Sequence, residues 1–103
     1  MSGEFVPALK TSDVSEGEML AIDVKAKHIL IARIGGEVHA VSGTCTHEEA
    51  DLGLGFRIEE RVVCPLHFSQ FDLRDGRVEN PPAVVPLQRY NVKIEDGTIL
   101  VEI

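Results

Sequence analysis

Residues 90–103 read Tyr-Asn-Val-Lys-Ile-Glu-Asp-Gly-Thr-Ile-Leu-Val-Glu-Ile. Val92 and Ile94 before the Asp96-Gly97 pair, and Ile99, Val101 and Ile103 after it, alternate with Asn91, Lys93, Leu100 and Glu102. A period of two puts one set on each face of a strand, so one face is apolar and the other mixed. Asp-Gly supplies the positive φ angles of a tight turn, and the stretch therefore reads as a β-hairpin. Gly35-Gly36 and Asp75-Gly76 give the same turn signal upstream. Short runs rich in Val, Ile and Leu, bounded by Gly, Pro, Asn and Asp, predict strands at Phe5–Leu9, Met19–Val24, Ile29–Ile34, Val38–Val41, Arg61–Cys64, Phe71–Leu73, Tyr90–Ile94 and Ile99–Ile103. No amphipathic helix competes with them. The expected fold is all-β, a small antiparallel sandwich or barrel with two loops projecting from one end.

The chain has 103 residues, the size of one small domain, and halving it would leave each part too little core, so residues 1–103 are expected to form a single domain. With 44 % hydrophobic and 26 % charged residues it is neither disordered nor fibrous. No run approaches the roughly 18 apolar residues of a membrane span. The opening Met-Ser-Gly-Glu-Phe lacks the basic start and apolar block of a secretory signal, so a cytoplasmic location without membrane contact is expected. Ten Lys plus Arg against seventeen Asp plus Glu give a net charge of −7, a poor match to phosphate backbones, which argues against nucleic acid as a partner.

Two stretches break the strand rhythm. The first, residues 42–55, contains Cys45-Thr46-His47, and the second, from residue 64 to about 72, opens on Cys64-Pro65-Leu66-His67. Sixteen residues separate His47 from Cys64, and both cysteines of the chain are used. Two thiolates and two imidazoles suit zinc or iron better than magnesium or calcium. A Cys-x-His or Cys-x-x-His turn lets one loop present two ligands, and two such loops can clamp one site. Two plainer readings exist: buried thiols with loop histidines, or a structural zinc site. Zinc fingers usually pair Cys with Cys and His with His on separate arms, whereas here each arm carries one of each.

This pattern, within an all-β chain and with Pro65 after the second cysteine, resembles the Rieske iron–sulfur proteins. The resemblance implies one [2Fe–2S] cluster, its inner iron held by Cys45 and Cys64 and its outer iron by His47 and His67, on a two-loop cluster-binding subdomain. Respiratory-complex members carry extra cysteines that form a disulfide; Ala50 and Leu66 stand at those places here. Those members also keep a Ser and a Tyr whose hydroxyls hydrogen-bond the cluster; Ser69 matches, and Phe71 does not. Fewer donors imply a potential in the lower part of the Rieske range of roughly −150 to +300 mV. The length and the Phe71-Asp72-Leu73 and Asp75-Gly76 stretch most resemble the small soluble ferredoxins of bacterial aromatic-ring-hydroxylating dioxygenase systems. That resemblance implies a monomeric electron carrier, itself no enzyme, between an NAD(P)H-dependent flavoprotein ferredoxin reductase and a terminal oxygenase. The alternatives are a Rieske subunit of a nitrite-reductase-type complex and a zinc-stabilised binding module.

Other residues receive secondary readings. His28 is expected in a turn and His39 in a strand, both structural. Glu48, Glu49 and Asp51 follow His47 and suit electrostatic steering of a partner as well as a solvated loop. Leu66 and Phe68 flank His67, either shielding the cluster or forming an apolar docking rim. The hydroxyls of Ser69, Thr44 and Thr46 are candidates to hydrogen-bond the cluster's sulfurs.

Overall fold

The computed structural model describes residues 3–46, 50–66, 68–81 and 83–103. Among the described residues eleven strands run in chain order: β1 Phe5–Lys10, β2 Met19–Val24, β3 Lys27–Ile34, β4 Glu37–Ser42, β5 Phe56–Ile58, β6 Arg61–Val63, β7 Gln70–Asp72, β8 Val78–Asn80, β9 Arg89–Tyr90, β10 Val92–Glu95 and β11 Thr98–Glu102. All pairings are antiparallel, in three sheets ordered β1-β11-β10, β2-β3-β4-β9 and β5-β6-β7-β8. The all-β expectation is met.

The tight turns explain the registers. Gly35-Gly36 and Asp96-Gly97 join β3 to β4 and β10 to β11 with both central residues at positive φ, the geometry whose twist matches that of paired strands. Asp75-Gly76 lies in the connection between β7 and β8. A third two-residue turn, Lys25-Ala26, adopts φ of 47° and 66° without a glycine, so nothing in its composition announces it. The six consecutive pairs from Met19↔Ala32 to Val24↔Lys27 hold it in place. His28 is therefore a strand residue opposite Asp23, not the expected turn residue.

The expected strand Tyr90–Ile94 divides at Asn91. Tyr90 pairs with Ala40 in the second sheet, whereas Val92 pairs with Val101 in the first. The chain changes sheet there because the Asn91 carbonyl accepts from Glu102 N and its side-chain amide donates to Glu102 Oε1, which turns it toward β11. The expected apolar face of the final hairpin holds at Ile99 and Val101, fully buried, while Ile94, close to the Asp96-Gly97 turn, is exposed. Strands β5 and β8 were not expected.

Two apolar cores share one wall. Val6, Val14, Val24, Ile29, Ile31, Ala40, Tyr90, Ile99 and Val101 fill the space between the first two sheets. Leu30, Ala32 and Val41, on the opposite face of β3 and β4, pack instead with Val62, Phe71, Leu73, Leu52, Cys45 and Cys64 of the third sheet and its loops. The run Ile29-Leu30-Ile31-Ala32 is buried on both faces, as an inner strand's sequence without polar alternation requires.

Candidate metal centre

The first Cys/His segment leaves β4 and folds back on itself. Leu52 N donates to Gly43 O at 2.8 Å, Cys45 N donates to Ala50 O at 2.9 Å, and Thr44 bridges Asp51 between them. This two-stranded neck brackets positions 46–49. The second segment is a hairpin loop between β6 and β7, closed by Cys64 N donating to Ser69 O at 2.8 Å and Phe68 N to Cys64 O at 3.1 Å. Each cysteine thus stands at the base of its loop, where the last ladder bond ends. Expected ligands His47 and His67, with Glu48 and Glu49, lie outside the described residues.

Cys45 and Cys64 are both buried, belong to the same apolar cluster and form no disulfide. Two soft thiol donors presented into one dry core from two loops fit a thiophilic metal group such as iron–sulfur. Ala50 and Leu66 at the places of the extra cysteines of the respiratory type agree with this thiol-only state.

A third segment, residues 83–88, lies against the site, and sequence reasoning assigned it no role. Ala83 N donates to Ser69 Oγ at 3.0 Å, Thr46 Oγ1 donates to Val85 O, and Leu87 N donates to Gly76 O at 2.8 Å. The segment is therefore tied to both cysteine loops. The Thr46 hydroxyl is spent on Val85, which corrects its expected role toward the sulfurs. Ser69 is fully buried, and accepting from Ala83 leaves its own O–H to donate elsewhere. The dense run of prolines was the only sequence signal for this segment, and it speaks of backbone stiffness without naming contacts.

Around the loops the surface is apolar. Leu66 and Phe68 are 53 % and 60 % exposed, and Val84 and Val85 are 84 % and 55 % exposed. Leu66 and Phe68 therefore form a rim and do not seal an interior. Phe68 also sits at φ 64°, a left-handed conformation that a bulky residue enters at a cost.

Charges set the base of the site. Asp72, fully buried at the end of β7, takes Arg74 Nε at 3.0 Å on Oδ1 and Nη2 at 2.8 Å on Oδ2, and Arg74 N also donates to Oδ1 at 2.8 Å. These bonds hold its carboxyl below the ordinary carboxylate range. His28 lies between two acids, Nδ1 2.7 Å from Asp23 Oδ1 and Nε2 2.7 Å from Asp51 Oδ1. Those hydrogen bonds raise the imidazole above its ordinary value and, with Gly53 N, lower Asp51. Asp51 is consequently held at the loop's neck by His28 and Gly53 N, a fixed place that neither a steering charge nor a solvated loop residue requires.

Comparison with known proteins agrees with this construction. Over 93 residues the chain is 36 % identical to the ferredoxin component of biphenyl 2,3-dioxygenase from Rhodococcus jostii (strain RHA1), covering 90 % of this chain and 87 % of the relative. The ferredoxin of carbazole 1,9a-dioxygenase from Nocardioides aromaticivorans IC177 superposes with a TM-score of 0.87 at 34 % identity, covering 95 % of this chain and 96 % of that one. A chain from the complex of reduced oxygenase and oxidized ferredoxin in carbazole 1,9a-dioxygenase superposes with a TM-score of 0.88 at 27 % identity, covering 95 % and 92 %. The family model described as the Rieske [2Fe-2S] domain matches residues 4–91, and the chain belongs to that family.

Proposed function

We propose that this protein is the ferredoxin of an aromatic-ring-hydroxylating dioxygenase system, a one-electron carrier and not a catalyst of substrate chemistry. The single observation that carries the reading is the pair of buried thiols at the bases of two loops, Cys45 and Cys64, in a chain whose relatives are ferredoxin components of dioxygenases. The whole of residues 1–103 is read as one domain bearing one [2Fe–2S] cluster. When bound, that cluster supplies a site that takes up and releases a single electron.

The residues of the chain do the rest. Cys45 and Cys64 would hold the group through their thiolates, and His47 and His67, from the same two stretches of sequence, through their imidazoles. Leu52, Phe71 and Leu73 keep water from the thiol side, where a low dielectric strengthens every donor to sulfur. Ser69 offers one such donor. Phe71, fully buried and without a hydroxyl, offers none, which supports a potential in the lower part of the Rieske range. Leu66, Phe68, Val84 and Val85 form the apolar face on which the reductase and the terminal oxygenase dock in turn, and the strained backbone of Phe68 supports a role for its exposed ring. A small, transient interface suits a monomeric shuttle. No helix among the described residues is long and apolar enough to cross a membrane, and a cytoplasmic location agrees with that.

The test is spectroscopic. The purified protein is expected to be brown, with about equal iron and acid-labile sulfide and a Rieske-type EPR signal after dithionite. Cys64→Ala is expected to abolish cluster assembly. A colourless protein that holds zinc and unfolds with chelator would overturn the carrier reading in favour of a zinc-stabilised module.

A further inference from the structure

His28 makes a contact set that the electron-carrier reading does not use. Its two ring nitrogens each meet a carboxylate oxygen at 2.7 Å, Asp23 on β2 and Asp51 at the neck of the first cysteine loop. Ionised carboxylates only accept hydrogen bonds, so both contacts are satisfied only when both ring nitrogens carry protons. A neutral imidazole has one N–H and would turn a lone pair toward one of the acids. The neck is also built on the backbone of His28, whose carbonyl accepts from Gly43 N at 2.9 Å. A Cβ at Gly43 would lie 2.7 Å from His28 Cδ2, so the ring rests directly on that glycine. Asp51 in turn accepts from Gly53 N at 2.8 Å and pairs with Thr44 across the neck.

We infer that His28, as an imidazolium clamped between Asp23 and Asp51, is a positioning residue that fixes the neck of the Cys45–His47 loop to the β2–β3 hairpin and loosens it when the proton is lost. The inference rests on the ligand reading proposed above. The charged groups facing the ring are Asp23 from β2 and Asp51 from the loop; Ser42, Gly43 and Thr44, on the β4 side, are uncharged. Both acids favour the proton, so the clamp is whole at and below the ordinary imidazole value and opens only as pH rises through a higher one. Loss of one charge-assisted bond at a partly exposed site corresponds to roughly a fivefold change in an opening equilibrium.

The experiment follows cluster loss from the oxidised holoprotein by visible absorbance in the presence of an iron chelator, between about pH 6 and pH 9. The wild-type rate is expected to step up roughly fivefold across this range, beyond any slope that His47 and His67 contribute. His28→Gln is expected to keep the wild-type spectrum at neutral pH yet lose its cluster at the faster rate throughout. Asp23→Asn, which removes one acid and leaves the loop's own residues intact, is expected to move the step to lower pH. The ring nitrogens of His28, observed by 15N NMR, are expected to be doubly protonated at pH 7.

A His28→Gln profile that superimposes on the wild type would overturn the inference, as would a singly protonated ring at pH 7. Should His28→Gln fail to accumulate, an unmoved step in Asp23→Asn would overturn it equally. A holoprotein without a Rieske spectrum would instead remove the ligand reading itself, and the NMR result would still report on the clamp.

Discussion

Replacing Asp72 with Ala removes the charged anchor under the second cysteine loop. The carboxylate is fully buried and accepts three hydrogen bonds from Arg74, with Arg77 Nη2 at 3.5 Å. Breaking a buried ion pair costs about 3–5 kcal/mol when the abandoned charge stays buried. Here it does not: the side chains of Arg74 and Arg77 remain 49 % and 61 % exposed and are rehydrated at once. What remains is the loss of the Arg74 N–H acceptor, of the charge-assisted bonds discounted for that exposure, and of a packed side chain, together about 2–3 kcal/mol. At about 4 °C per kcal/mol for a chain of this size, Tm falls by about 8–12 °C. Asp72→Asn keeps an oxygen for Arg74 N and is expected to lose about half as much.

The sign of the pH dependence follows from the lowered carboxyl. Its contribution is fully present above the ordinary carboxylate value and is lost as pH falls through the lower folded one. The gap between wild type and Asp72→Asn should therefore stay constant from about pH 8 to pH 5. Far-UV circular dichroism melts of the anaerobic holoproteins measure it. A shift for Asp72→Ala within about 2 °C of zero, or a gap already closing between about pH 8 and pH 6, would refute the reasoning.

Ser69→Ala strands the buried Ala83 N–H and removes a hydroxyl donor, so Tm should fall by a few degrees and the reduction potential by tens of mV, read by melting and by protein-film voltammetry. Phe68→Gly should leave the cluster spectrum intact and stability unchanged or raised by up to about 1 kcal/mol, because glycine tolerates φ 64°, while slowing electron transfer to a terminal oxygenase in stopped-flow mixing. Val84→Asp should slow the same transfer without changing the potential, through the buried charge it would bring to the docked complex.

Most of the framework could be read from local chemistry. The Gly35-Gly36 and Asp96-Gly97 turns announce themselves because positive φ selects their residues, and the strands around them follow from period and β-branching. Lys25-Ala26 adopts the same turn against its own preference, compelled by six flanking pairs, and such tertiary compulsion leaves no local trace. Strands β5 and β8 escaped for a related reason. Phe56-Arg57-Ile58 is exposed throughout and Val78-Glu79-Asn80 nearly so, so neither shows the alternation that burial imprints. The paired cysteines were legible because metal chemistry, where it acts, fixes residue type and spacing together. The clamp on His28 was not, since Asp23, His28 and Asp51 are joined only by register and loop return, and Glu48 and Glu49 beside Asp51 suggested a common fate.

The doubly buried β3 has a consequence for anyone wishing to transplant the redox unit. Residues 43–88 leave the second sheet at β4 and rejoin it at β9, and the two ends are neighbours, with Ser42 N donating to Gln88 O at 2.8 Å. Such closely spaced ends invite excision as a cassette. Yet Leu30, Ala32 and Val41, which form the rear wall of the thiol chamber, belong to the host scaffold. A graft carrying only the excursion would arrive with one side open to water, and a recipient must offer its own two-sided apolar strand before the transplanted loops could keep their thiols dry.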